Sequence, residues 1–280
     1  MNNWKLILAV LIAAAALTGK AQAYTIDDNY IGADPTHGRA HTDVIGDHKY
    51  YNIDGMNVST AGNSMSVDIV SSFVAKTSST TIWNERTHIG DLFIGTGGWK
   101  PFGSAANKYQ GDSVSTTGTL WDYVVVLTPH IPTVSQDPVK NGQAVVYSTK
   151  NGNFVKSNLG GLNENSWVYR ADQYVQFTPN AGATALATGA WDITDNVTTI
   201  AGNTYGSLNI DFDYSTISPV GKDWAFHWGM TCANDVIEGQ TEVFQRIPPQ
   251  DNPSVPEPST FVLLGAGLLG AGLARRKFRK

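Results

Sequence analysis

Between Tyr24 and Asp251 the chain offers almost no helical periodicity, and that absence constrains its fold more than any single motif does. Gly, Asn, Ser, Thr and aromatic residues recur through the span, a composition suited to strands and tight turns. Met65, Val67 and Ile69 alternate with Ser66, Asp68 and Val70 ahead of Phe73, the pattern of a half-buried strand. Leu208, Ile210 and Phe212 alternate with Asn209, Asp211 and Asp213, and a period of two sets both carboxylates on one face. WDYVVVL, from Trp121 to Leu127, is a more continuous apolar run and reads as a central strand. Gln143–Thr149 and Asn153–Ser157 flank Asn151-Gly152, a strong hairpin signal. Further strands are expected at Tyr50–Asp54, Asp91–Ile94, Trp167–Arg170, Tyr174–Thr178, Trp224–Trp228 and Glu242–Gln245. Ten or so strands spaced by turns, without helices between them, give an all-β antiparallel fold, a β-sandwich or jelly roll.

The two ends of the chain are built differently. MNNWKLILAVLIAAAALTGKAQA carries one early charge at Lys5, an apolar run from Leu6 to Leu17, and Ala21-Gln22-Ala23 as a small-x-small site. This is the pattern of a secretory signal peptide cleaved after Ala23. The run is shorter than the roughly 20 residues a spanning helix needs. At the other end Val255-Pro256-Glu257-Pro258 breaks the chain, Thr260 to Ala274 is apolar and rich in Leu and Gly, and Arg275, Arg276, Lys277, Arg279 and Lys280 close it. Proline isolates the tail from the folded part. The basic cluster holds the end on the cytoplasmic side and leaves the domain outside. An ordinary single-pass C-terminal anchor would share this hydropathy.

The order Val-Pro-Glu-Pro-Ser, Gly-rich apolar helix, Arg-rich end resembles the PEP-CTERM sorting signal. The resemblance implies a transient inner-membrane anchor that an exosortase removes at or near Val255, Pro256, Glu257 and Pro258, which are then recognition residues in a substrate. It implies an exported protein that passes signal peptidase and exosortase and ends at the cell surface or in the medium. Two inner segments, GDLFIGTGGW from Gly90 and FHWGMTCANDVIEG from Phe226, are similar to segments that recur in PEP-CTERM surface proteins lacking assigned function. The matching positions are Asp91, Trp99, Cys232, Asn234, Asp235 and Glu238. Where relatives often carry Cys-Gly-Asn-Asp, this chain has Cys232-Ala233-Asn234-Asp235, which leaves open whether the backbone there needs glycine. The second segment reads as a final strand ending in a polar turn.

The expected map is a signal peptide at 1–23, one β domain at 24–246, a stiff proline-rich linker at 247–258, and a transmembrane helix with a basic tail at 259–280. The Pro-rich stretch 129–138 is either a long loop or a second boundary. Processing changes the charge. The basic count falls from 19 to 12 while all 24 acids remain, so the precursor at −5 becomes a domain at about −12. That surface argues against nucleic acid and anionic membranes as partners. Cys232 is the only cysteine, so no intrachain disulfide forms. It is a buried small residue, an intermolecular bridge or a nucleophile.

Candidate chemistry is sparse. His37, His41, Asp43, Asp47 and His48 crowd one window, but Pro35, Gly38 and Gly46 make it a solvated loop, where the two histidines lose their helical spacing. Asp27, Asp28 and Asp34 near the start, and Asp211 with Asp213 on one strand, are oxygen donors suited to a structural calcium ion. There is no GxSxG elbow, no HExxH, and GTGGW lacks the strand and helix of a phosphate loop. Paired carboxylates are set in space and not by spacing, so a secreted carbohydrate-active enzyme on a jelly-roll scaffold is the alternative. Most tryptophans belong to a core, with Trp99 the most exposed in its Gly-flanked loop. The leading expectation is a non-enzymatic surface or extracellular matrix protein associated with polysaccharide or biofilm.

Overall fold

The alternation in the sequence becomes one large antiparallel sheet. A computed structural model describes residues 22–28, 44–45, 47–76, 87–104, 117–129, 139–157 and 173–243, all within a compact unit that runs to Gln245. Residues 1–21 and 244–280, which carry most of the leader, the spacer and the sorting segment, lie outside the described residues. The strands are β1 (Gln22–Asp27), β2 (Ile53–Ala61), β3 (Ser64–Ser71), β4 (Leu92–Gly95), β5 (Tyr123–Thr128), β6 (Asn141–Ser148), β7 (Gly152–Lys156), β8 (Tyr174–Pro179), β9 (Ala187–Ile200), β10 (Asn203–Asp213), β11 (Asp223–Gly229) and β12 (Val236–Glu242). A four-residue helix, α1 (His48–Tyr51), precedes β2 and is capped by the Asp47 carboxylate, which accepts from Lys49 N.

Ten strands join in the order β1-β2-β3-β10-β9-β6-β5-β4-β11-β12. The sheet curls until its edges meet. A Cβ added to Gly239 on β12 would stand 2.4 Å from Ile26 Cγ2 on β1. The expected antiparallel all-β architecture is what forms, nearly a barrel, and its facing layers are opposite walls of one curled sheet. Each of the ten strands sends apolar side chains into one core, among them Ile26, Val58, Ile69, Leu208, Phe226 and Trp228. Each such side chain, fully buried, stabilises by about 1.5–3 kcal/mol.

The remaining two strands form a separate ribbon, β7 against β8. The ribbon makes a second apolar cluster on the outer face of the barrel, where Phe177 meets Phe93, Val124 and Val126. This explains the unbroken apolar run of β5. Val125 and Leu127 point into the barrel, while Val124 and Val126 point out and are covered. β5 and β6 pair directly from Tyr123↔Ser148 to Thr128↔Gln143, so no domain boundary separates them at residues 129–138.

Several expectations change. Asn151-Gly152 does not turn a hairpin between its flanking strands. After β6 the chain makes a single 3-10 turn, Thr149–Asn151, and β7 departs to pair with β8. Thr149 is tied down instead, its N–H donating to Asp122 O and its hydroxyl to Trp121 O. Gly152 is extended, with φ near −179°, and serves close approach: a Cβ there would lie 2.3 Å from Phe177 Cζ. The strand expected from Tyr50 begins at Ile53 because α1 takes the preceding residues. The last strand ends at Glu242, where one was expected to begin. The strand expected at Trp167–Arg170 lies outside the described residues.

β9 and β10 form a hairpin that the sequence disguises. Ile200 pairs with Asn203, and the two residues between them, Ala201 and Gly202, have φ of 48° and 82°. Positive φ at both central residues is the type I′ turn that favours Asn-Gly. Alanine pays a steric penalty there of roughly 1–2 kcal/mol. Ala201→Asn is therefore expected to stabilise the domain by about 0.5–1 kcal/mol. Thermal melting followed by circular dichroism checks it, and an unchanged or lower midpoint would reject this account of the turn.

Candidate functional site

The second inner segment builds a hairpin, β11 to β12, and its polar residues are the turn and the strand beyond it. Alternation sends Trp224, Phe226 and Trp228 into the barrel core and leaves His227 on the other face of β11. The expected final strand ending in a polar turn is thus corrected: the turn, Met230 to Asp235, lies between two strands. It is buried throughout and fastens three separate segments. Thr231 N donates to His88 O, and His88 N donates to Thr231 Oγ1. Ile45 N donates to Asn234 O while Asn234 Nδ2 donates to Ile45 O at 2.8 Å. Asp235 Oδ2 accepts from Ile53 N at 2.6 Å, and its Oδ1 accepts from Val236 N at 2.9 Å. Asn234 Oδ1 is buried with no hydrogen-bond partner among the described residues.

Cys232 is wholly buried in this turn. Burial pushes its thiol up to about 12, so near neutrality it is a protonated, enclosed group and not a nucleophile. Ala233 beside it has φ of 47°. The open question of the sequence is thereby answered in backbone terms: the position is left-handed, the conformation glycine adopts without a Cβ clash.

Glu238 carries the site from the turn toward the surface. It is 3% exposed and His227 is 2% exposed, and such burial of two ionisable groups requires that each be paired. Glu238 Oε1 lies 2.7 Å from His227 Nδ1, and its Oε2 accepts from Trp99 Nε1 at 3.0 Å. His227 Nε2 lies 2.6 Å from Tyr174 O. A carbonyl only accepts, so Nε2 carries a hydrogen. The result is an unbroken line: indole, carboxylate, imidazole, backbone carbonyl of the ribbon. Trp99, expected to be the exposed tryptophan in its Gly-flanked loop, is half-buried, with its backbone N–H held by Gln240 Oε1 at 2.8 Å. Phe93 and Trp121 close around the imidazole, with ring centroids at 5.7 and 5.4 Å. A general base needs a ring nitrogen facing its substrate. Here both are engaged while β8 is seated.

Asp91, from the first segment, fixes the ribbon from below. Its Oδ1 accepts from Leu127 N at 2.9 Å and its Oδ2 from Phe177 N at 2.8 Å, while its own N–H donates to Val175 O. One fully buried carboxylate therefore joins β5 to β8. The glycine before it is dictated by packing: a Cβ on Gly90 would fall 2.1 Å from Gly229 O. Asp91 and Glu238 thus anchor the same ribbon at neighbouring points, and Asp235 anchors β2. His227, Gln240 and Tyr174 were not singled out in the sequence. The alternation of β11 was the available signal, since it turns His227 away from the core.

Among the described residues, the carboxylates considered for calcium do not gather. Asp34 lies outside the described residues. Asp27 ends β1 opposite Gly55, and Asp28 follows it. Asp211 and Asp213 are exposed on β10, which is three strands or about 14 Å away from β1 across the sheet. Asp213 accepts from Ser215 N at 2.8 Å, and hydrogen bonds from Ser215 hold its carboxyl below the usual range. Among the described residues, no group of three or more His, Cys, Asp and Glu side chains is arranged to hold a metal ion. Of the histidine-rich window, His37, His41 and Asp43 lie outside the described residues. His48 Nδ1 meets Asn52 Oδ1 at 3.0 Å.

The family model of the PEP-CTERM protein-sorting motif matches residues 254–280. The chain is therefore an exosortase-targeted, exported protein, as its C-terminal residues suggested. No curated protein and no solved structure matches it. Among the described residues no helix is long and apolar enough to cross a membrane, and the residues of the expected sorting helix are not among them.

Two substitutions test the geometry. Asp91→Ala leaves two buried amides without acceptors, each costing about 1–3 kcal/mol. It should destabilise the domain by roughly 2–6 kcal/mol in urea titration, with the ribbon becoming protease-sensitive first. A loss under about 1 kcal/mol, the size expected at an exposed residue, would refute the riveting role. Ala233→Gly should stabilise by about 0.5–1 kcal/mol, since the left-handed backbone then loses its Cβ clash. A lower melting midpoint in that variant would show that the turn does not strain alanine.

Proposed function

We propose, from the premise that the chain is exported to an exosortase, that its folded part is a non-catalytic surface or matrix domain that associates with extracellular polysaccharide. In this reading residues 1–23 are removed by signal peptidase and 24–246 are delivered outside. Residues 247–258 space the domain from the membrane, and 259–280 hold it there until exosortase acts at Pro256, Glu257 and Pro258.

The observation that carries the reading is the aromatic collar around the ribbon. Trp121, Tyr147, Phe154 and Tyr174 are all partly buried against the Phe93–Phe177 cluster, so each ring is fixed by packing and still reaches solvent. Phe154 and Tyr174 stack at 4.0 Å. Trp121, Tyr147 and Tyr174 each join an apolar ring to a polar edge, which suits the faces of sugar rings. The interior carboxylates are engaged elsewhere: Asp91 on backbone amides, Glu238 on His227 and Trp99. That supports binding over hydrolysis, which needs carboxyl groups facing the glycosidic bond.

The test is retention of the processed protein on the producing cell's own exopolysaccharide and on a glycan array. Retention is expected, and Trp121→Ala and Tyr147→Ala should weaken it while the far-ultraviolet circular dichroism stays unchanged. Absence of retention on every glycan would overturn the proposal.

A further inference from the structure

The ribbon covers one half of the barrel's outer face. On the other half, formed by β1, β2, β3, β10, β9 and the start of β6, the register lines up a row of hydrogen-bonding side chains. Thr25 stands opposite Asn57, Asn57 opposite Asp68, Asp68 opposite Asn209, Asn209 opposite Asp192, and Asp192 opposite Asn141. Their sequence neighbours Ile26, Val58, Val67, Leu208 and Trp191 point into the core, so the period of two turns this row outward. Thr25, Asn57, Asp192 and Asn141 are exposed, and Asp68 and Asn209 half-buried. Six strands at about 4.8 Å make the row about 24 Å long.

The next row holds Ser59, Ser66, Asp211 and Gln143. Short side chains leave the face flat, and several are already fixed. Thr25 Oγ1 donates to Asn57 Oδ1 at 2.8 Å, and Ser207 Oγ donates to Asp68. Fixed groups lose little freedom when a partner arrives. The charge is one-sided. Asp27, Asp68, Asp192, Asp211 and Asp213 lie on this face, and no Lys or Arg among the described residues stands in these two rows. Lys140, just before β6, is already paired with Asp195.

We propose that this face binds an amine-bearing polysaccharide, a polymer of partly unacetylated amino sugars lying flat across the strands. Carboxamides and hydroxyls meet the sugar hydroxyls, and the carboxylates meet the ammonium groups. Anionic polysaccharide is repelled by the same charges. The inference rests on the polysaccharide reading above and names its chemistry, on a surface separate from the aromatic collar.

The experiment measures binding of the processed protein to soluble, partly deacetylated chitosan, with fully N-acetylated oligomers, dextran and alginate alongside. Binding to the deacetylated polymer alone is expected, falling about tenfold or more as ionic strength rises from 0.01 to 0.15 M, because exposed charges are then screened. The triple variant Asp68→Asn, Asp192→Asn, Asp211→Asn should lose it to a similar degree while its far-ultraviolet circular dichroism stays unchanged. Equal binding before and after acetylating the polymer's amines would overturn the proposal without any variant. Retention on the native exopolysaccharide with none on chitosan would overturn it and spare the broader reading. Failure on all glycans would remove both.

Discussion

The buried carboxylate of Asp91 is the interaction on which the arrangement of this domain depends. A nearly closed sheet satisfies its own amides along the ladders, but a ribbon laid on its outer face brings edge amides with no strand beside them. Phe177 N is such a group, and Asp91 supplies its acceptor while the other oxygen takes Leu127 N from the barrel itself. A buried amide left alone costs more than a hydrogen bond gains. The ribbon is therefore held in register by this short side chain, together with the His227 contact to Tyr174 O, and not by apolar contact alone. The same device recurs at Asp235, which joins the amide at the start of β2 to that of its own successor. Both residues belong to the two inner segments that the sequence singled out, and both are spent on the backbone.

The His227–Glu238 pair extends that logic to ionisable side chains. Its two ends are fixed by groups that cannot move independently: a ribbon carbonyl at one side and a tryptophan in the Gly-flanked loop at the other. A buried pair with its remaining atoms unsatisfied would be a net cost. Here the indole and the carbonyl complete the set, and the aromatic walls exclude water. The line therefore couples three elements that lie far apart in sequence, the loop after β4, the β11–β12 hairpin and β8, so that displacing any one exposes the other two.

How far the sequence told this in advance differs by element, for physical reasons. Where one face of a strand is buried and the other wet, as in β3 and β10, alternation located it, although β10 begins at Asn203, five residues before the pattern does. β5 was legible too, since covering on both faces leaves a continuous apolar run. Turns were the weak point. Asn151-Gly152 carries the chemistry of a tight hairpin and does not make one, because Phe177 occupies the space a Cβ would need and Thr149 is anchored elsewhere. Ala201-Gly202 lacks that chemistry and does make one, its strain borne by the long β9–β10 ladder on either side. The site residues were legible as a set of motif positions, but what unites them was not. Asp91 and Glu238 are 147 positions apart, and only the passage of β8 over β4 and β11 brings their roles together.

The two halves of the outer surface also explain why the domain's composition looks so polar for its size. Where the ribbon sits, outward positions of β4, β5 and β11 can be Phe, Val and His. Where nothing among the described residues covers the sheet, the outward positions of β2, β3, β10 and β9 are short Asn, Asp, Ser and Thr side chains. Asn and Asp are poor strand formers, and they persist in strands here because the inward face buries Val, Ile, Leu and Met at alternate positions. A face that needed only to be soluble could use lysine and glutamate, whose long side chains also guard against edge pairing. This one is flat and carries a single sign of charge across rows set by the register, in a protein addressed to the outside of the cell. The inward pattern fixes the barrel, and the outward pattern, free of any demand from the core, is the part of the sequence left to meet a partner.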